Sequence, residues 1–415
     1  MSEVWSIKPV GSRIAELPKS ALPAGRADQQ GAFQFFCSSP DVKRIDRAIS
    51  SIPAILMGTG GVATVHLGLG QHSYSTDTWA FTVSDSETEL QFLYRQLEHQ
   101  LPQIDYAGFE GSGLRHLQKD YIRHLELLCP PKPHQVGITK VLATLDTAIH
   151  ETEAIIAKLK SVKQGLLHDL LTRGIDANGE LRPQPAEAAH FYKPSPTGWI
   201  PNDWISGTLD CWLDGKPKNG YSPQEAGEWT GIQMLGLGCL TLQGFQPLQL
   251  KPAPRGDKRL ASAMLSIGDL LMSRANTRDL VGMVGVYRDV GTPCTYPDLM
   301  MRLRPSSETS AEFLQFVLQA AAVRRQVQAH AVGTSESMVK ISGKIVSNLV
   351  VAIPGKTEQN QVLALLAAGD ARLNAELEKL AVLRELKAGL MDDLLTGRVR
   401  VTPLLTEAAQ QQGSA

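Results

Sequence analysis

Two stretches of the chain carry apolar residues at helical spacing over an unusual length. Ile138, Leu142, Leu145, Ile149, Ile156, Leu159, Leu166 and Leu170 alternate by fours and threes, with Thr152 and Lys163 as polar breaks. Val362, Leu366, Leu373, Leu380, Leu383, Leu390 and Leu394 do the same, with Gly369, Glu376 and Lys387 as breaks. Heptad spacing gathers the apolar side chains into one stripe, and two such stripes zip together. Prolines at 130, 131, 133 and 354 mark the entries, and Gly174 and Gly397 the exits. A run of ~34 residues at ~1.5 Å each spans ~50 Å, longer than an ordinary domain helix. Two amphipathic helices buried separately are the plainer alternative. The rest of the chain reads differently: short apolar runs such as Ala80-Phe81-Thr82-Val83, residues 281–287, 299–303 and 348–353 predict strands. Residues 89–100 and 312–329 have helical periodicity, and Asp214-Gly215 and Asn219-Gly220 are turn signals.

The two heptad stretches are copies. A shift of 224 places residues 130–175 on 354–399 without a gap, with 15 identities in 46 positions. A second match upstream, at a shift of 215, sets Lys43-Arg44-Ile45 on Lys258-Arg259-Leu260 and residues 51–57 on 266–272. The order is therefore variable segment, shared helix, variable segment, shared helix. So long a period means tandem domains; solenoid repeats run at about 20–50 residues. If the stripes pair, the second helix must return toward the first segment. The expected architecture is α+β: two mixed α/β domains separated by a two-helix antiparallel coiled coil, duplicated about a pseudo-two-fold. The boundaries read as a first domain over 1–132, a first long helix over 133–176, a linker and second domain over 177–355, a second long helix over 356–400 and a disordered tail over 401–415. The packing positions are Leu142, Leu145, Ile149, Ile156, Leu159, Leu166 and Leu170 on one helix, and Leu366, Leu373, Leu380, Leu383, Leu390 and Leu394 on the other.

Length and composition fit two or three globular domains: 415 residues, 43% hydrophobic and 20% charged. With 41 basic against 42 acidic residues the chain is no polybasic protein, although a local basic face is allowed. No apolar run approaches the ~20 residues of a membrane helix, and no secretory signal is visible at the start, so a cytoplasmic home is expected. The five scattered cysteines have no CxxC pair, which points to free thiols in a reducing compartment.

Catalytic motifs are missing. There is no GxxxxGK[ST], HExxH or GxSxG, and Gly58-Thr59-Gly60-Gly61 and Gly236-Leu237-Gly238 read as turns. No catalytic, cofactor-binding or metal residues are expected. A duplicated chain with two spaced modules suits a periodic partner such as duplex DNA, whose helical turn is ~34 Å. Between Lys251 and Arg304 nine basic residues face five acidic ones. In Arg274-Ala275-Asn276-Thr277-Arg278 the side chains match base edges: Arg to guanine, Asn to adenine, Thr to the thymine methyl. A solvated loop is the plain alternative. The DNA-binding candidates are thus Lys43, Arg44, Lys258, Arg259, Arg274, Asn276, Thr277 and Arg278, the two Lys-Arg pairs being taken as counterparts.

Residues 164–175, Gln-Gly-Leu-Leu-His-Asp-Leu-Leu-Thr-Arg-Gly-Ile, followed by Gly179-Glu180-Leu181-Arg182-Pro183, resemble the central region of specificity subunits of type I restriction-modification systems. Residues 387–400 resemble the carboxyl-terminal repeat of that family, Gly198-Trp199-Ile200-Pro201 the opening of its second target-recognition domain, and residues 268–276 a motif inside such domains. The resemblance runs to about residue 402. It implies that each variable domain reads one half of a split, asymmetric DNA target. The helical pair would fix the spacer and dock two modification subunits, which would carry S-adenosylmethionine and methylate adenine. A restriction subunit using ATP and Mg would join them, and this chain would hold no cofactor. The first domain departs from the second: Met57-Gly58-Thr59-Gly60-Gly61 stands where Met272-Ser273-Arg274-Ala275-Asn276 stands, and Trp5, set against Trp199, lacks the preceding glycine. The competing reading is a coiled-coil scaffold that joins proteins without touching DNA.

Overall fold

The computed structural model describes residues 5–333, 336 and 338–401. Two compact units emerge. The first takes the chain to Ile156 together with residues from Ala375 on; the second takes Ala157–Asn374.

In the first unit a central strand, Ala54–Gly58, is wholly buried along its length. Burial on both faces explains why its sequence shows an unbroken apolar run instead of alternation. With the strands in chain order as β1 (Ile14–Glu16), β2 (Phe33–Phe36), β3 (Lys43–Ile45), β4 (Ala54–Gly58), β5 (Val65–Gly68), β6 (His72–Tyr74) and β7 (Thr78–Val83), one antiparallel sheet has the order β1-β7-β4-β5. A second has the order β3-β2-β6, antiparallel on one side and parallel on the other. Successive residues of β4 point to opposite faces. Ile55 and Met57 pack with Leu93, Leu97 and Ile104 of helices α1 (Leu90–His99) and α2 (Leu101–Ala107). Ala54 and Leu56 pack with Phe36 and Tyr74 of the three-stranded sheet.

The second unit repeats this plan strand for strand. After the first long helix, α3 (Lys132–Thr172), come β8 (Lys218–Asn219), β9 (Gln233–Leu235), β10 (Leu250–Pro252), β11 (Leu270–Ser273), β12 (Val284–Val286), β13 (Cys294–Thr295) and β14 (Met300–Leu303). Their sheets run β8-β14-β11-β12 and β10-β9-β13, with the same polarities. Helices α4 (Ala311–Gln319) and α5 (Ala321–His330) cover the sheet as α1 and α2 do, with Leu270 and Met272 against Phe313, Leu314 and Val317. Met57 lies opposite Trp79 and Val65, and Met272 opposite Met301 and Val284, so the 215-residue shift holds at the central strand.

That shift fails at the Lys-Arg pairs. Lys43-Arg44 lies on β3, whose counterpart is β10, whereas Lys258-Arg259 opens a 3-10 turn, Lys258–Ala263, further on. The cause is an insertion: residues 46–53 join β3 to β4, but residues 253–269 join β10 to β11. Two further readings change. Trp5 precedes a strand, Ser6–Pro9, paired with Glu126–Cys129, and it is Trp204 that precedes the matching strand, Ile205–Thr208, paired with Val350–Ile353. Trp199, read as part of the opening of the second recognition domain, instead sits on a hairpin, Tyr192–Ser195 with Gly198–Pro201, ahead of that strand. Asn219 is not in a turn but pairs with Met301, and Gly220 has the Tyr296 carbonyl 2.2 Å from where a Cβ would stand. Of the segment read as a disordered tail, only Val401 is described, and it is buried; residues 402–415 lie outside the described residues.

The long helices are 41 residues (α3) and 40 residues (α6, Lys356–Leu395), ~60 Å each at ~1.5 Å per residue. In the first unit Ile138 and Leu142 of α3 cluster with Met391, Leu394 and Leu395 of α6. In the second, Leu166 and Leu170 cluster with Val362 and Leu366. Within the first unit Asp146 meets Lys387 and, further along α3, Glu153 meets the earlier Arg384 of α6, so the two helices run antiparallel there. Buried on the stripe are Leu142, Ile156, Leu170, Leu366, Leu380 and Leu394; half-buried are Leu145, Ile149, Leu159, Leu166, Leu373, Leu383 and Leu390. The polar breaks face inward too. Lys387 pairs with Asp146 at 2.6 Å in the first unit, and Lys163 pairs with Asp370 in the second. Both Lys and both Asp are repeat partners at the 224 shift.

One glutamine anchors each helix to its unit. Gln135, fully buried, donates to the carbonyls of Glu87 (2.9 Å) and Pro130 (2.7 Å) and accepts from the Glu89 N–H (2.8 Å). Its repeat partner Gln359 donates to Glu308 and Pro354 (both 2.9 Å) and accepts from the Thr309 hydroxyl (2.9 Å). Each glutamine thus holds the loop that leads into α1 or α4.

Candidate nucleic-acid interface

The end of the central strand is the point where the two units share a backbone and differ in side chains. Past β11, Ala275–Asn276 pairs with Val339–Lys340; past β4, Gly60 bridges to His116. The Arg274 N–H donates to the Leu299 carbonyl (2.8 Å), as the Thr59 N–H does to Asp77 (2.9 Å).

In the second unit this segment carries Arg274, Asn276, Thr277 and Arg278, all half-buried. The Arg274 guanidinium donates to the Asp298 carbonyl at 3.3 Å. The Asn276 side-chain oxygen accepts from the Thr277 N–H at 2.8 Å, which fixes the bend. Thr277 accepts from the Leu280 and Val281 amides through its carbonyl. Arg278 is turned inward. Its guanidinium grips Glu336 by two contacts (2.6 and 3.0 Å) and donates to the Gln328 carbonyl at the end of α5 (2.9 Å). The Glu336 carboxyl is held below its ordinary range by that arginine. Arg278 therefore closes the loop onto the helix.

Lys258 and Arg259 reach the same surface by another route. Arg259 stacks 4.6 Å over the Tyr221 ring and forks onto Asp257 (3.1 and 3.0 Å). The Tyr221 hydroxyl also donates to Asp257 (2.9 Å), and the Arg259 pair holds the Asp257 carboxyl down at about 2. The next residue, Ser222, donates to the Asp298 carboxylate (2.5 Å), beside the carbonyl that Arg274 contacts. Tyr221-Ser222 thus ties Arg274 to Arg259, and Lys258 stands exposed next to them. Pattern reading missed Tyr221 as this platform. Its one signal is an aromatic residue directly after the Asn219-Gly220 pair.

In the first unit Lys43 and Arg44 are exposed on β3, and Arg44 donates to the carbonyls of Gly31 (2.6 Å) and Ala32 (2.9 Å). The glycine clusters do not cradle phosphate. The Gly58, Thr59 and Gly61 amides already donate to Thr64, Asp77 and Arg115 carbonyls, and the Gly236 and Gly238 amides both donate to Gln249. Among the described residues no group of three or more His, Cys, Asp or Glu could hold a metal ion, and no helix is long and apolar enough to cross a membrane. The Cys294 thiol, packed beside Tyr287, is pushed up to about 12, chiefly by burial.

The architecture is that of a known class. The chain has the fold of type I restriction-modification specificity subunits: the S subunit from M. genitalium superposes with a TM-score of 0.57 at 15% identity, over 95% of this chain and 96% of that one. A chain from a type I system solved for its complex assembly and conformational transition gives 0.55 at 17% identity, over 95% and 98%. In sequence, the chain is similar to the type I restriction enzyme MjaVIII specificity subunit of Methanocaldococcus jannaschii, 22% identical over 306 residues, 71% of this chain and 67% of the relative. No family model matches. The resemblance drawn from the repeated helix motif therefore holds in both sequence and fold, as does the α+β class with its paired long helices.

Proposed function

We propose that this chain is a DNA-specificity subunit that reads a bipartite, asymmetric target, one half per unit, and performs no catalysis of its own. The observation that carries the proposal is the pair of units with one topology and different side chains at the equivalent strand end, Thr59-Gly60-Gly61 against Arg274-Ala275-Asn276. A shared frame with divergent contact residues suits two different half-sites; identical readers would demand a palindrome. In the second unit Lys258 and Arg259 offer charge to phosphates, and Arg274 a guanidinium to guanine. The long helices set the spacer and dock two adenine-methyltransferase subunits, with a restriction subunit as a further partner. S-adenosylmethionine, ATP and Mg belong to those partners, and the assembly works in the cytoplasm.

Mapping modified adenines across a genome in cells that express the chain with its partner subunits tests this. Two short conserved blocks separated by a fixed, unspecified spacer are expected; one contiguous motif refutes the proposal. Adding four residues, about one helical turn, within residues 138–173 lengthens the spacer while each block keeps its bases.

A further inference from the structure

We infer that a polar cleft at the end of β4 is where the first unit reads its half of the target, with duplex DNA seated on Thr59, His116, Lys19 and Lys119. This deepens the proposed function and rests on it.

The cleft is lined by Glu16, Lys19, Thr59, Thr76, Trp79, His116 and Lys119, among others. Equivalence with the second unit is set by main-chain bonds, not by likeness of sequence. Thr59 bonds the Asp77 carbonyl as Arg274 bonds that of Leu299, and Gly60 faces His116 as Ala275 faces Lys340. Thr59 is thus the counterpart of Arg274, Thr76 of Asp298, and His116 of Lys340. In the second unit the Arg274 side chain lies along this position and touches the Asp298 carbonyl. In the first, the short Thr59 and the side-chain-free Gly60 and Gly61 leave it open. Gly61 has φ +85°, so the turn there relies on glycine.

The lining suits a nucleic acid. Lys19 and His116 are exposed and Lys119 is half-buried. Glu16 is the one acid on the lining, and it is held by Arg123 and, at 3.8 Å, by Lys119. Lys119 also lies 5.1 Å over the Trp79 ring, with Arg123 at 5.7 Å, which keeps two cations beside the cleft. The Thr59 hydroxyl and the His116 imidazole can both donate to and accept from base edges, the Thr76 hydroxyl, which donates to the Asp77 carboxylate at 3.0 Å, can accept, and the lysines neutralise phosphates. The first unit so offers small, two-way hydrogen-bonding groups where the second offers an arginine, which accounts for unlike half-sites on one frame.

The test is selection from a randomised duplex library by the full chain purified with its partner subunits. The variants are Lys19→Ala/His116→Ala and, separately, Thr59→Ala, with Arg274→Ala as the second-unit control; melting curves confirm that each is folded. In both cleft variants, preference is expected to relax about tenfold at bases of one block, the loss of one good base contact. The other block and the spacer stay unchanged, and Arg274→Ala relaxes the opposite block. The double variant changes only exposed side chains, so it remains informative should Thr59→Ala fail to fold. Unchanged preferences in both blocks overturn the inference. So does a uniform loss of affinity with intact preferences, or relaxation of the same block by the cleft and Arg274 variants. A wild-type complex that selects no bipartite motif overturns the proposed function as well, and so is distinguishable.

Discussion

Glu358→Ala should destabilise the second unit by about 3 kcal/mol. The Glu358 carboxylate lies in the first turn of α6 and accepts four hydrogen bonds, from the Ile175 N–H (2.8 Å), both terminal nitrogens of Arg182 (2.6 and 3.1 Å) and the Trp204 indole (3.2 Å). It thereby fastens the exit of α3, the linker and the entry of the domain to the start of α6. Both ionic side chains are nearly buried, with relative exposures of 10% for Arg182 and 11% for Glu358. Breaking a buried pair by removing one partner typically costs about 3–5 kcal/mol, because the remaining charge is stranded. Arg182 retains Asp203 at 2.8 Å and the Arg173 carbonyl at 3.1 Å, which sets the expectation at the low end. A loss of about 3 kcal/mol is roughly a hundredfold in the equilibrium constant. Hydrogen exchange of a peptide spanning residues 170–185 reads it directly, since the Ile175 amide loses its acceptor. Urea unfolding followed by tryptophan emission reads it again through Trp204. Adding Arg182→Met removes the stranded charge, so the double variant should be no less stable than Glu358→Ala alone. A cost below about 1 kcal/mol, the range of exposed pairs, would refute the reasoning.

Leu142→Ala should cost about 2–5 kcal/mol, since Leu142 is fully buried between the helices, whereas Leu386→Ala, at 47% exposure, should fall within about 0.5 kcal/mol; chemical denaturation separates them. Gly165 and Gly389 sit inside the long helices with nothing within 4 Å of an added Cβ, so alanine at either should stabilise by about 0.5–1 kcal/mol, read as a raised Tm. For Asp257, folding lowers the pKa from 3.8 to about 2, chiefly through Arg259. Its contribution to stability is therefore present above pH 4 and lost as pH falls through about 2; in a carboxyl NMR titration, Arg259→Ala should return the midpoint toward 3.8.

The sequence made the helices legible because a stripe sustained over about nine turns has few other solutions. Their polar breaks were harder to read. Lys163 and Lys387 stand out as interruptions, but their partners Asp370 and Asp146 lie on the opposite helix and carry no apolar signal. Identity of both Lys and both Asp across the 224 shift was the available clue. The arginines' intramolecular partners were hidden for a related reason. Nothing local says that Arg278 folds back on Glu336, 58 residues away, or that Arg44 serves the turn at Gly31. The Lys-Arg repeat fooled pattern matching because two short basic pairs align by chance across an insertion that only strand pairing exposes.

The first unit borrows its last piece from the far end of the chain. Trp5 packs in one cluster with Phe92, Ile138, Leu142, Met391, Leu394 and Val401, and the Arg400 guanidinium lies 5.3 Å from its ring. Vectorial synthesis therefore inverts the order of completion. The stretch 157–374 has all its parts as soon as it clears the ribosome, while the amino-terminal half must wait, with one flank of its apolar core uncovered, until residue 401 emerges. A nascent chain stalled short of that point should engage chaperones through its earliest residues, not its latest.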